Sequence, residues 1–223
     1  MDETRFSGQS EIPPQGTPVL IDLSKDLYEG GKADITKIGE YVETAKHKGI
    51  KDHEKLDLTG GTMMTVYAAV SAEAGKPDSN VQEFAFNNPT REGRIVLWSP
   101  ELLKDIPAKP LKSLIMEAPQ SKLDTEALPE VMDLRLTFAD DPEAMQQMAD
   151  PKKAQEYMRE ITAQIRELKE RGVTTLRITG IPIWLAQGAY FAGAREGMKR
   201  LTNYTLSGEM IVYDAENSSL VGK

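Results

Sequence analysis

The fold is decided by two stretches of sequence, LDLTGGTMMTVYAAVSA at residues 56–72 and LRITGIPIWLAQGAYFA at residues 176–192, which align without a gap. Each begins with a short apolar run that is typical of a strand and continues through Thr-Gly into a turn. Each then ends in small and apolar residues that are typical of a buried helix. The match predicts an internal repeat of a strand-turn-helix unit, and chance resemblance between two common units is the alternative.

The flanking sequence repeats in the same order. A strand candidate followed by a helix precedes each unit, at residues 19–23 and 131–138, and a glycine opens a β-rich run after each unit, at residues 93–98 and 208–213. Strands that alternate with helices favour parallel βαβ units with right-handed crossovers. We therefore expect an α/β fold of two Rossmann-like lobes with mostly parallel sheets, related by an internal pseudo-twofold repeat.

Two amphipathic helices complete this pattern. An apolar stripe with helical spacing runs from Ile35 and ends at Gly49, and a longer one follows Asp150-Pro151 and ends at Gly172. An acceptor side chain followed by proline is a typical helix start, and glycine is a typical helix end. The predicted organisation is a flexible arm at 1–18, a first lobe at 19–103, a proline-rich linker at 104–130 with a short strand near 113–117, and a second lobe at 131–223.

Composition excludes several classes of function. The 223 residues carry 27 basic and 35 acidic side chains, a net charge of -8, and this acidic surface disfavours duplex DNA as a partner. With no cysteine, a disulfide framework, a thiolate metal site and a cysteine nucleophile are excluded, and two histidines do not make a histidine-rich metal site. We expect no metal, no cofactor and no membrane span. The N-terminus has no apolar segment typical of a secretory signal, so a cytoplasmic location is expected.

The candidate binding site lies where strands end. In open α/β sheets, ligands bind beyond the carboxyl ends of the strands, where the next helix presents unpaired N–H groups. The loops at that place are Thr59-Gly60-Gly61-Thr62, followed by Met63, and Thr179-Gly180-Ile181-Pro182. Glycines that only permit a tight strand-to-helix turn are the structural alternative.

Further polar residues follow the neighbouring strands. Asp22 and Ser24 end the first strand, and Asp133 lies near the start of the second lobe; each either lines the cleft or caps a strand end. Trp184 either stacks on a base or packs in the core. A loop with Asn87, Asn88, Arg91 and Arg94 either closes over an anionic ligand or forms an ordinary hairpin. Arg195 lies at a helix C-terminus, where the helix dipole favours a cation.

The first of the two units resembles a known motif. The run LDLTGGTMM, residues 56–64, resembles the strand-and-loop motif of CRISPR-associated Rossmann-fold (CARF) domains, an apolar strand followed by T-G-G-T-K and a small-residue helix. The run ITGIPIWL, residues 178–185, is similar to the compact ring-nuclease branch of that group. The chain departs from the motif at Met63, where the family often has Lys, and at Ile181, which replaces the second glycine.

The resemblance implies a binding module for cyclic oligoadenylates, ring-shaped second messengers of antiviral CRISPR-type signalling. Such domains usually act as homodimers with one loop from each subunit around a twofold-symmetric ring. Here two lobes of one chain would supply both loops around one cleft. Sensing ranks above ring opening, because no strong general acid or base is evident; Thr59, Thr62 and Thr179 would position ribose and phosphate.

Several points remain open from sequence. The catalytic residues, ring size, base, effector and oligomeric state cannot be read from it. The alternative function is that of an interaction protein whose acidic surface binds a basic protein partner.

Overall fold

The structure is a computed structural model that describes residues 17–28, 32–60, 63–88, 93–110, 115–116, 130–133, 151–180, 183–205, 208–217 and 221. These residues form two sheets. The four-stranded sheet has three parallel strands and one antiparallel edge strand, and the five-stranded sheet has three parallel strands between two antiparallel edge strands. The α/β class expected from sequence is confirmed.

The first lobe contains the four-stranded sheet, with its strands in chain order. Short 3-10 and π turns, Ile35–Lys37 and Lys46–Ile50, extend its amphipathic helix at both ends. The elements are β1 (Val19–Asp22), α1 (Leu23–Asp26), α2 (Ile38–Ala45), β2 (Lys55–Thr59), α3 (Met64–Gly75), β3 (Glu83–Asn88) and β4 (Gly93–Trp98).

The second lobe repeats this order and adds one strand. Its edge strand comes from the predicted linker, so that segment contributes to the second sheet. The elements are α4 (Pro100–Leu103), β5 (Ile115–Met116), β6 (Glu130–Asp133), α5 (Pro151–Glu170), β7 (Thr175–Thr179), α6 (Ile183–Arg195), β8 (Arg200–Thr205) and β9 (Gly208–Asp214).

Two strands were missed by the sequence analysis. β3 and β8 are the third parallel strands, and the runs that begin at Gly93 and Gly208 return as antiparallel hairpin partners. EFAFNN has an apolar run of only three residues and RLTNYT has none, so neither strand was evident from the sequence. The strand predicted at 131–138 is observed as Glu130–Asp133, and the rest of that prediction lies outside the described residues.

The two hairpins share an irregularity in their pairing. Phe84 pairs with Trp98 and the next residue pairs with Val96, while Leu201 pairs with Tyr213 and the next residue pairs with Ile211. In each hairpin one residue of the last strand is skipped at the same place, which is a β-bulge. The two hairpins therefore correspond at this bulge.

The central helices α3 and α6 join the lobes. Every residue from Thr65 to Gly75 is buried, as is every residue from Leu185 to Ala194, which is the pattern of a helix enclosed on all sides. Gly75 packs directly against the backbone carbonyl of Phe191, with no room for a Cβ. The Phe191 ring stacks on Phe84 of the first sheet with centroids 4.5 Å apart. Both lobes therefore share one hydrophobic core.

Candidate functional site

Each lobe brings an aspartate, a threonine and a glycine together at the carboxyl end of its sheet. Strand register places Asp22 beside Thr59 in the first lobe and Asp133 beside Thr179 in the second. Each threonine precedes a glycine with positive φ, 66° at residue 60 and 100° at residue 180. The same three residue types, aspartate, threonine and glycine, therefore occupy equivalent positions at the ends of the two sheets.

In the first lobe this group is tightly packed. Oδ1 of Asp22 accepts hydrogen bonds from the backbone N–H of Ser24 at 3.1 Å and from its hydroxyl at 2.7 Å. A Cβ at Gly60 would overlap this carboxylate and lie 2.9 Å from Ser24 Oγ, so the backbone conformation and the available space both require glycine. Asp22 is the N-cap of α1, and its side chain accepts hydrogen bonds from the backbone N–H groups of Ser24 and Lys25.

The Asp22 carboxylate is charged at neutral pH. Burial acts to raise its pKa, but hydrogen bonds from Ser24 and Lys25 hold the pKa below its ordinary value. The Lys25 ammonium lies 3.2 Å from Oδ2 and is mostly exposed. The first-lobe loop therefore has the negatively charged Asp22 carboxylate beside Gly60. This carboxylate would repel a phosphate, so a phosphate bound at the loop would have to lie away from Asp22.

Other predicted site residues have structural contacts. Met63 precedes α3 and packs partly against the core, and its carbonyl accepts the backbone N–H of Val66 at 3.1 Å. Trp184 also packs partly against the core, in agreement with its structural alternative. Gly61, Thr62, Ile181 and Pro182 lie outside the described residues.

One contact links the two carboxyl ends. Nδ2 of Asn203, in the carboxyl half of β8, lies 3.4 Å from Oγ1 of Thr65 at the start of α3. Because α3 follows the Thr59-Gly60 turn, the end of the second sheet lies beside the helix that leaves the first-lobe loop.

Arg94 is not free to meet a ligand. Its Nε donates to both carboxylate oxygens of Asp57, at 2.9 and 3.0 Å, and its NH2 group donates to Glu83 at 2.5 Å. Asn87 also lies 3.4 Å from Asp57. Burial raises the pKa of Asp57, and the hydrogen bonds from Arg94 oppose that shift. The ordinary hairpin, one of the two alternatives for this loop, is observed: Asn87 and Arg94 contact Asp57 within the β3–β4 hairpin. Arg91 lies outside the described residues.

The second lobe has a corresponding ion cluster. Arg177 pairs with Glu209 at 2.6 Å, and the hydroxyl of Thr202 donates to the same carboxylate at 2.6 Å. Burial acts to raise the pKa of Glu209, but these hydrogen bonds and the charge of Arg177 lower it overall. Arg200 donates from Nε to Asp214 at 3.1 Å.

The signs of the charges are reversed between the two clusters. The strand registers align Asp57 with Arg177, Glu83 with Arg200, and Arg94 with Glu209. Sequence analysis missed these clusters, although a single charge within each aligned apolar strand, LDL against LRI, was a usable signal. The sheet accepts an ion pair at this place with either polarity.

The comparisons with known proteins give no relative for this chain. No family model, curated protein or solved structure matches it. Within the described ranges, no group of three or more acidic, histidine or cysteine side chains is arranged to hold a metal ion. The same residues contain no helix long and apolar enough to cross a membrane.

Proposed function

We propose that this chain binds a cyclic oligoadenylate, or a related small cyclic nucleotide, in a cleft between its two lobes and acts as a sensor in antiviral signalling. The observation that carries the proposal is the repeated Asp-Thr-Gly group at the carboxyl ends of two equivalent sheets. A twofold-symmetric ring needs two equivalent sets of contacts. A pseudo-twofold arrangement of the lobes would supply both sets from one chain.

The chemistry at each loop suits a small phosphodiester ring. A glycine with positive φ exposes backbone N–H groups, and the helix that follows presents further unpaired N–H groups to a phosphate. Thr59 and Thr179 add hydroxyls that donate to phosphate or to ribose oxygens. Because Arg94 is neutralised by two carboxylates, backbone and hydroxyl groups carry the recognition in the first lobe.

Thermal unfolding with a panel of linear and cyclic oligoadenylates and mononucleotides tests this proposal. A ligand at about 100 times its Kd stabilises the folded state by about 2.7 kcal/mol, which for a chain of this size raises Tm by about 5 to 10 °C. We expect one cyclic species to give this shift. No shift with any nucleotide would contradict the proposal and favour the interaction protein.

Variants at the two threonines locate the binding site. Thr59→Ala and Thr179→Ala should each reduce the shift, whereas Thr175→Ala, at the opposite end of β7, is the matched control and should retain it. Chromatography of the ligand over several hours separates sensing from ring opening, since an enzyme would convert the cyclic species to a linear product. Equal shifts in all three variants would place the ligand elsewhere.

A further inference from the structure

A cation and two aromatic rings form a cluster at the junction of the lobes, at the far end of α6 from the Thr179-Gly180 turn. Arg195, the last residue of α6, donates from NH2 to the carbonyl of Val81 at 2.5 Å, and the same group lies 3.4 Å from the carbonyl of Ala74. Its guanidinium lies over Trp98 and Phe191, 5.0 and 5.2 Å from the ring centroids. We call Trp98, Phe191 and Arg195 the junction cluster.

Two buried donors in the junction cluster have no hydrogen-bond acceptor within the described part of the chain. The indole Nε1–H of Trp98 and the Nε–H of Arg195 are both buried without a hydrogen-bond partner. Trp98 as a whole is 5% exposed. Buried N–H groups are nearly always paired, because leaving one unpaired costs about 1 to 3 kcal/mol. The two donors belong to side chains that stack on each other, with the guanidinium 5.0 Å from the Trp98 ring centroid.

The end of the other central helix, α3, also has a cation beside an aromatic ring, but there the cation has a carboxylate partner. Lys76, just after α3, lies 5.9 Å from the ring centroid of Tyr213, and its ammonium is 2.7 Å from the Glu73 carboxylate. In the aligned helices, Gly193 takes the place of Glu73. The hydrogen bonds that Arg195 makes to described residues go to backbone carbonyls.

The charge of Arg195 is only remotely compensated. Burial lowers the pKa of its guanidinium, and the more distant charges of Asp78 and Glu196 partly oppose that shift. Glu196 is itself engaged by Arg166 at 2.9 Å. The junction cluster therefore combines a partly buried positive charge with two unpaired N–H donors.

We propose that Trp98 and Arg195 bind a small oxyanion, a carboxylate or a phosphate, between the lobes. Trp98 belongs to the first lobe and Arg195 to the second, so the bound anion links the two. Helix α6 has 13 residues and spans about 20 Å, which separates this site from the candidate nucleotide cleft.

Two-dimensional NMR of the tryptophan side chains tests the oxyanion site directly. The chain contains two tryptophans, so the indole N–H of Trp184 is an internal control for that of Trp98. Formate and inorganic phosphate are titrated separately at constant ionic strength against sodium chloride. We expect a saturable shift of the Trp98 signal with at least one oxyanion and no matching shift of the Trp184 signal; the anion that saturates at the lower concentration identifies the ligand class.

A second variant separates the N–H group from the packing of the ring. Trp98→Phe retains an aromatic ring beneath Arg195 and removes only the donor and part of the ring area. We expect the saturating oxyanion to raise the Tm of the parent protein and to lose at least half of that effect in Trp98→Phe. Equal effects in both proteins, or NMR shifts that chloride reproduces, would overturn the proposal.

Discussion

Reversing the charges in the first-lobe ion cluster tests whether the two lobes are equivalent. The single variants Asp57→Arg and Arg94→Glu each place like charges where Nε of Arg94 now lies 2.9 Å from the Asp57 carboxylate. The double variant Asp57→Arg/Arg94→Glu restores opposite charges in the order that Arg177 and Glu209 already have in the second lobe. An arginine already occupies the aligned position of the second lobe, where Arg177 is 8% exposed.

The expected size of the effect follows from distance and burial. At 2.9 Å and an effective dielectric constant of about 20, two unit charges interact by about 6 kcal/mol. Breaking a buried ion pair by removing one partner costs about 3 to 5 kcal/mol, and Asp57 is only 3% exposed. We therefore expect each single variant to lose about 3 to 5 kcal/mol of unfolding free energy, or about 6 to 20 °C in Tm.

Urea unfolding followed by tryptophan fluorescence measures all three variants against the parent. We expect the double variant to recover at least half of the loss caused by the worse single variant. Adding Glu83→Arg completes the charge set of the second lobe and should recover more, since it removes the remaining repulsion between two carboxylates. A double variant no more stable than the worse single variant would refute the reasoning that the sheet accepts either polarity.

Three further predictions concern packing and pH. Gly75→Ala should cost about 1 to 3 kcal/mol, because its Cβ would overlap the carbonyl of Phe191, whereas Gly39→Ala, with open space around it, should stabilise α2 by about 0.5 to 1 kcal/mol in the same urea assay. Gly60→Ala should lower Tm through both its φ of 66° and its clash with the Asp22 carboxylate, and a Tm equal to that of the parent would contradict this. The lowered pKa of Glu209 contributes stability above about pH 4.3, and this contribution is lost as pH falls through the folded-state pKa; Glu209→Gln should flatten that part of a Tm-against-pH curve.

The parts of the fold that could be predicted were those with a recognisable pattern in a short stretch of sequence. Apolar runs followed by Thr-Gly marked β2 and β7, and small residues without a polar face marked α3 and α6 as enclosed helices. The strands β3 and β8 have no such signal, because their polar residues make cross-strand contacts that only the folded sheet defines. The return of β4 as a hairpin was one of two alternatives from sequence, and the antiparallel return of β9 was missed.

The candidate site shows a similar division. Parallel strands end at one edge of a sheet, which puts Asp22 and Gly60 at the same edge, and the structure shows the two residues in contact. The same rule could not show that Arg94 is held by two carboxylates. The position of Arg94 beside these carboxylates depends on the register of the β3–β4 hairpin, which includes a bulge between Phe84 and Ala85. No pattern in the sequence predicts that bulge.

The contrast between the ion clusters and the strand ends bears on the proposed function. In the ion clusters, all three aligned positions differ in charge between the lobes, so the fold tolerates large changes there. At the strand ends, the aligned residues are the same in both lobes: Asp22 and Asp133, Thr59 and Thr179, Gly60 and Gly180. Backbone conformation accounts for the glycines, since both have positive φ. It does not account for the threonines, whereas Asp22 also has a local role as the N-cap of α1. The two lobes thus differ in charge within aligned strands but have the same side chains at the ends of those strands. This contrast supports the proposal that the strand-end side chains contact a twofold-symmetric ligand.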